Sequence, residues 1–299
     1  MGPILFLIYI NDMNISLACR LSLYADDSAL IFSHQDSKVI AERLSVELSS
    51  CKRWLVDNRL SLHVGKTRVF GSKRRLKGSD FRVFCDGTPV ERKFTVKYFG
   101  VLLDENVNGS AHACNLMKVC AGRLAFLYRQ SSLLDKKCRQ TLCSALIQPY
   151  MDYCTSSWYC GLSVLLKERL NVVQRKMVRF VNGLDYRAHV DNKNLKDLFW
   201  LNIPDRVKFF QLTHLFRIRN NLAPKYLLPN FTSISAVHSH NTRGSGFNFV
   251  VSRELSLSQN GFAFTAIKHW NNLPNDLKSI DNIRVFKQRL KQFLFTRYD

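Results

Sequence analysis

The hydrophobic period changes once along this chain, near residues 105–110, and that switch constrains its fold more than any other feature. Before it, apolar residues fall in short runs separated by turn clusters. After it they recur every three to four residues and turn clusters become sparse. A period of two marks half-buried strands, and a period near 3.6 marks amphipathic helices. The two patterns in separate blocks predict an α+β piece followed by an all-helical one. A length of 299 residues accommodates one large domain or two ordinary ones. With 46% hydrophobic and 22% charged residues, wholesale disorder and fibrous repeats are excluded. No apolar run reaches the ~18 residues of an ordinary transmembrane helix.

The chain opens on Met1-Gly2-Pro3 followed by the apolar run Ile4–Ile10 and then Asn11-Asp12. The run lacks the basic leader and small-residue cleavage site of a signal peptide. It reads as a buried element whose upstream partners are missing. In Leu21–Phe32 two apolar runs flank Asp26-Asp27, the pattern of a hairpin with acids at its tip. A helix is predicted from Ser37 to Val56, capped by Asp36 or Ser37, with Ile40, Leu44, Leu48, Cys51 and Leu55 as its buried stripe. Asn58-Arg59 ends it. Leu60–Leu62 and Thr67–Phe70 read as short strands, and Lys73–Gly78 as a basic loop suited to nuclear import or nucleic acid. Asp86-Gly87 marks a hairpin turn, and Phe94–Leu103 closes the strand-rich section.

Helices are predicted at 110–130, 135–151 and 163–182, with shorter ones near 193–200, 204–220 and 283–295. In the third, Leu166, Leu170, Val173, Met177 and Phe180 form the core face. Lys167, Arg169, Arg175, Lys176 and Arg179 lie largely off it. Residues 228–262 read as a long loop or ragged strands. Charge is concentrated in the same block: 44 Lys and Arg oppose 23 Asp and Glu overall, for a net +21, and residues 111–230 hold 19 basic against 7 acidic. A basic block in a folded, aromatic-rich chain points first to a polyphosphate partner and second to anionic membrane. Nine cysteines with no secretory leader and no Cys-x-x-Cys pair indicate reduced thiols, mostly in the core. The chain is expected to be intracellular, nuclear or cytoplasmic, and not secreted.

Adjacent acids at a turn are common, since Asp tolerates turn geometry. Carboxylates on a rigid hairpin tip are also what a two-metal phosphoryl-transfer site needs, because Mg²⁺ takes hard oxygen ligands. Tyr24-Ala25-Asp26-Asp27 resembles the catalytic hairpin motif of reverse transcriptases. Its surroundings resemble those of non-LTR (LINE-type) retrotransposons, of the jockey or chicken-repeat kind. Gly2–Asp12 is similar to the end of the family's template-contacting motif. Leu60–Thr67 is similar to the next palm motif, where Asn is usual at the position of His63. Val96–Val101 resembles the primer-grip strand. Gln148–Tyr153 and Trp270-Asn271-Asn272-Leu273-Pro274 resemble the thumb and downstream region. The order and spacing of these motifs are more specific than any one of them.

The resemblance implies a partial polymerase palm, an antiparallel sheet with a helix, over residues 1–105. It implies a thumb-like helical region over 106–230 and a C-terminal extension over 231–299. Asp26 and Asp27 would be Mg²⁺ ligands, and Lys66 would approach the pyrophosphate leaving group, though it reads equally as a solvated lysine. Phe99-Gly100 would place the primer 3′ end, with Tyr24 packing nearby, or would simply be a bent strand. Lys167, Arg175, Lys176 and Arg179 would contact nucleic acid. The partners implied are an RNA template, a DNA primer and dNTP; no membrane and no protein partner is implied. The family's other catalytic carboxylate and its fingers lie before the point where this sequence begins, and Asp12 is in the wrong motif to replace that acid. The expectation is therefore a fragment of an RNA-directed DNA polymerase that is inactive alone. The alternatives are a non-catalytic nucleic-acid-binding protein and a helical module for an acidic protein partner.

Overall fold

The structure, a computed structural model, describes residues 1–72, 81–237, 247–251 and 261–298. The chain divides into two compact units, Met1–Val107 and Asn108–Asp299. The basic run Lys73–Gly78 lies outside the described residues.

Three antiparallel hairpins carry the strands described in the first unit. In the first, β1 (Arg20–Tyr24) pairs with β2 (Asp27–Ile31) so that Tyr24 faces Asp27 across the turn Ala25-Asp26. In the second, β3 (Phe84–Cys85) and β4 (Thr88–Pro89) flank Asp86 at φ +47° and Gly87 at φ +78°. Two successive left-handed residues make the turn whose twist matches paired strands. Phe99 at φ +46° and Gly100 at φ +81° do the same between β5 (Thr95–Tyr98) and β6 (Val101–Asp104). The stretch Phe94–Leu103 is thus a hairpin, not one strand.

The long helix α2 (Ser37–Asp57) starts where Asp36 accepts a bond from the Lys38 amide at 2.8 Å. It stops at Asn58, and Arg59 adopts φ +56°. Its apolar stripe serves two cores. Ile40, Leu44 and Leu48 join Val69, Phe81, Val83, Cys85 and Val90. Cys51, Trp54 and Leu55 join Ile10 and Met13. Polar ties reinforce the packing: Ser45 Oγ accepts from the Phe84 amide at 2.9 Å, and Lys52 pairs with Asp86 at 2.8 Å.

Two expectations fail in this unit. Residues 60–70 form no strand; the amides of Val64, Lys66 and Thr67 bond to carbonyls two to four residues back, so the segment coils. A single parallel bridge, Val69 to Arg92, is all that remains of the strand pattern. Leu62 and Val64 are apolar because they cap the Leu48 core, not because they alternate in a sheet. Second, the N-terminal run is helix α1 (Gly2–Ile10), and most of it is not buried. Phe6 and Ile10, four residues apart, share the face that reaches the Met13–Cys51 cluster. Ile4 at 65% and Ile8 at 68% exposure face solvent.

Among its described residues, the regular structure of the second unit is helical apart from one isolated bridge. Its longer helices are α3 (Ser110–Arg129), α4 (Lys136–Leu146), α7 (Val164–Asn182), α9 (Ile203–Arg219), α11 (Phe262–Asn271) and α13 (Ile283–Phe295). Between them lie the shorter α5 (Gln148–Asp152), α6 (Thr155–Trp158), α8 (Asn192–Asp197), α10 (Ile234–Val237) and α12 (Asn275–Lys278). The single helix expected over 135–151 is broken at Ile147, because Pro149 removes an amide donor and starts α5 instead. Caps punctuate the rest: Ser163 for α7, Asn202 for α9 and Asn282 for α13. Gly109 precedes α3 at φ +77°, and a Cβ there would lie 2.5 Å from the Trp158 carbonyl oxygen.

The α7 core face is as the period predicts, with Leu170, Val173, Met177 and Phe180 buried and Leu166 half-buried. The C-terminal residues pack into the same unit. Phe286 of α13 stacks on Phe216 of α9 at 4.3 Å, and Trp270 of α11 is fully buried. The motif around Trp270 anchors the extended residues 247–250. Trp270 Nε1 donates to the Phe247 carbonyl at 2.7 Å, while Asn271 donates to the Phe249 carbonyl at 2.8 Å and accepts from its amide at 3.0 Å. All nine cysteines are free and five are buried, fewer than expected. Burial pushes Cys51 and Cys120 up to about 11 and Cys143 up to about 12, which keeps these thiols protonated and inert.

Candidate functional site

The β1–β2 hairpin is rooted at one end and free at the other. Leu21 and Leu23 pack on the Ile10–Met13–Cys51 cluster, and Leu30 packs on the Leu48 core. Toward the turn, Tyr24 to Ser28 are all exposed. Ala25 adopts φ +51° to close the turn, Asp26 completes it, and Asp27 begins β2 opposite Tyr24. Both aspartates therefore stand at the hairpin tip, exposed to solvent.

The second turn lies against this tip. The Tyr24 ring, 69% exposed, meets the Phe99 ring edge-on at 5.0 Å, and Phe99 lies against Tyr98 at 4.0 Å. The Tyr98 hydroxyl reaches Ser22 Oγ at 3.5 Å, a long contact that joins the two hairpins a second time. Aromatic pairs of this kind contribute roughly 0.5–1.5 kcal/mol beyond area burial, which offsets the cost of a bulky residue at positive φ. Tyr24, Asp26, Asp27, Phe99 and Gly100 are thus brought together. Sequence reasoning missed Tyr98 and Ser22. Alternation along each strand was readable, but which hairpins meet was not.

Asp26 and Asp27 offer hard oxygen donors of the kind Mg²⁺ takes. Among the described residues no cluster of three or more His, Cys, Asp or Glu side chains forms a metal-holding group. Two aspartates are fewer donors than such an ion takes, and the described residues add no third acid, His or Cys to them. Lys66 follows the turn at Val64-Gly65, is exposed, and its amide donates to the His63 carbonyl at 2.9 Å.

The cations expected on α7 are mostly occupied within their own unit. Lys167 Nζ donates to the Cys160 carbonyl at 3.4 Å and sits 5.3 Å from the Tyr159 ring centre. Arg175 pairs with Glu168 at 2.5 Å, and Glu168 is held below the usual carboxylate range by that guanidinium. Arg179 Nε donates to the Ala188 carbonyl at 2.8 Å, closing the loop after Gly183. Lys176 is exposed. Another cation carries an aromatic: Arg123 lies 4.1 Å over the Tyr150 ring and bonds its hydroxyl at 2.6 Å.

No helix of the described residues is long and apolar enough to cross a membrane. No family model matches the chain, and no solved structure matches it. Two curated proteins of Drosophila melanogaster do. One is described as "Probable RNA-directed DNA polymerase from transposon X-element"; it is 25% identical over 237 residues, covering 75% of this chain and 25% of that protein. The other, described as "Probable RNA-directed DNA polymerase from transposon BS", is 22% identical over 203 residues, covering 62% of this chain and 22% of that protein. The chain spans about a quarter of the length of these relatives. It is similar in sequence to RNA-directed DNA polymerases encoded by transposons.

Proposed function

We propose that this chain is a segment of a non-LTR, LINE-type retrotransposon reverse transcriptase, with residues 1–105 as part of the palm and 106–230 as a thumb-like region. The observation that carries this reading is the contact between Tyr24 and Phe99, which sets an exposed pair of aspartates beside a turn built on half-buried Phe99 and exposed Gly100. In that role the aspartates would help to hold Mg²⁺, and the aromatic turn would steady a DNA primer end on an RNA template. Lys66 is the cation proposed for the phosphates of an incoming dNTP. Two carboxylates alone do not hold two ions, and their mutual repulsion is then unrelieved. Attack of a primer 3′-hydroxyl on the α-phosphate of a dNTP is therefore assigned to the parent enzyme and not to this chain on its own.

Primer extension on an RNA template with Mg²⁺ tests the proposal, with Asp26→Ala as control. The expected result is no incorporation by either protein, together with weak Mn²⁺ binding by the wild type that Asp26→Ala abolishes. Incorporation that depends on Asp26 would overturn the assignment of inactivity. Mn²⁺ binding that ignores both aspartates would sink the role of the tip.

A second reading, a non-catalytic nucleic-acid-binding protein, is favoured by the 19 basic against 7 acidic residues of 111–230. It requires affinity that falls steeply with salt, by counterion release, and little sequence preference.

A further inference from the structure

We propose that the end of α8 and the last turn of α13 form a groove for a base of single-stranded nucleic acid, with Phe199 as its stacking platform. Lys196, Phe199, Gln292, Phe295 and Thr296 line an open groove of about 270 Å³. That is slightly below the range of drug-sized pockets, about 300–1,000 Å³, and suits one or two planar rings.

The backbone at Phe199 is the first argument. Helix α8 ends with the Trp200 amide donating to the Leu195 carbonyl and the Phe199 amide donating to the Lys196 carbonyl, both at 2.9 Å. This is the pattern that places one left-handed residue just past a helix, and glycine is the usual occupant. Here it is phenylalanine, at φ +54°. A side chain with a Cβ is strained in that position. Phe99, the other aromatic residue at positive φ, sets Tyr24 and Tyr98 against its ring. Among the described residues no ring pairs with Phe199, which is 74% exposed. Leu198 and Trp200, on either side, are buried, so the motif is anchored at both ends and only this ring is held out. Folding alone gives no reason to keep an aromatic there.

The lining is the second argument. Among the described residues, those that line the groove bring two rings, an amide, a hydroxyl and a lysine, and none of them is a carboxylate. Lys291 Nζ lies 5.7 Å over the Phe295 ring centre. Helix α13 carries Arg284, Lys287, Arg289 and Lys291 without an acid. Ring faces for a base, an amide for its edge and cations for the flanking phosphates are the parts that single-strand binding uses. An apolar peptide or a second copy of this cationic chain would leave that charge unmatched.

The groove needs neither Asp26 nor nucleotide incorporation, so it stands or falls apart from the polymerase reading. Fluorescence anisotropy of the full chain, with a labelled 12-mer oligouridylate and with a blunt RNA duplex of equal length, tests it. Phe199→Gly should weaken single-strand binding by roughly 5- to 150-fold, the stacking contribution of one base. It should leave duplex binding unchanged and raise the melting temperature by relieving strain, and Phe199→Trp should keep single-strand affinity. The proposal is overturned if the wild type binds no single strand, or if Phe199→Gly weakens both probes equally or neither. A lowered melting temperature in Phe199→Gly would remove the strain argument and overturn it too. So would a dimer, seen in sedimentation, that this substitution dissolves.

Discussion

In the hairpin unit, Tyr24, Asp26 and Asp27 stand in solvent at the end of two strands whose half-buried leucines, Leu21, Leu23 and Leu30, pack on the cores. In the helical unit, Lys167, Arg175 and Arg179 hold a carbonyl, a carboxylate and another carbonyl of their own unit. Both sets look equally functional as text. In the first set Tyr24 is held against Phe99 while the two acids stand exposed. The second set is bound within its own unit, so a run of positive charge along a helix is weaker evidence for a binding face than two acids on an exposed tip.

That contrast is open to direct attack. The largest effect is expected at the centre of the helical unit, where Trp270 is fully buried and bonded to the Phe247 carbonyl. Trp270→Ala should cost about 4 kcal/mol in urea unfolding, and a loss under about 1 kcal/mol would mean that the C-terminal helices are not part of that core. Next, Arg179→Met should cost about 1 kcal/mol, the net value of a hydrogen bond to a carbonyl. Lys176→Met, one turn away and exposed, should cost none. If the two behave alike, Arg179 is not a structural cation and the comparison weakens.

Acid should act on the helical unit next. Burial lowers the proton affinity of His112, and burial with Lys208 and Lys268 lowers that of His269. The unfolded chain takes up these protons near pH 6.5 while the folded chain does not. Stability is therefore fully present above that pH and falls as pH drops below it. Melting temperatures between pH 8 and 5 should show the decline, and a His112→Gln, His269→Gln double variant should show a flatter profile. The smallest effect belongs to the tip: Asp26→Asn should change stability by no more than about 0.5 kcal/mol. A larger loss would make Asp26 a structural residue and erase the difference between the units.

The parts of this molecule that were legible as sequence are those fixed by short-range rules. Asp86-Gly87 demands left-handed geometry, Asp36 caps α2, and the i, i+4, i+8 apolar spacing of α2 and α7 finds a core wherever the core lies. The coil at 60–70 escaped because Leu62 and Val64 are apolar for packing and the segment's backbone bonds are local. Within the candidate site the aspartates were legible from their turn. Their neighbour Tyr98 was not, since its contact with Ser22 joins strands 76 residues apart. The partners of Lys167 and Arg179 escaped for a different reason, being backbone carbonyls that no side-chain pattern announces. Phe199 is invisible to any periodicity, because what sets it apart is a backbone angle.

Residues 247–251 have half a sheet. Ser233 bridges Phe249 on one side, and on the other the carboxamide of Asn271 both gives and takes a bond where a whole strand would ordinarily run. A single side chain on α11 thus governs how long the Phe249 amide proton survives in heavy water. That proton should exchange in step with the α11 helix that carries Asn271, although it belongs to a segment with no ladder of its own.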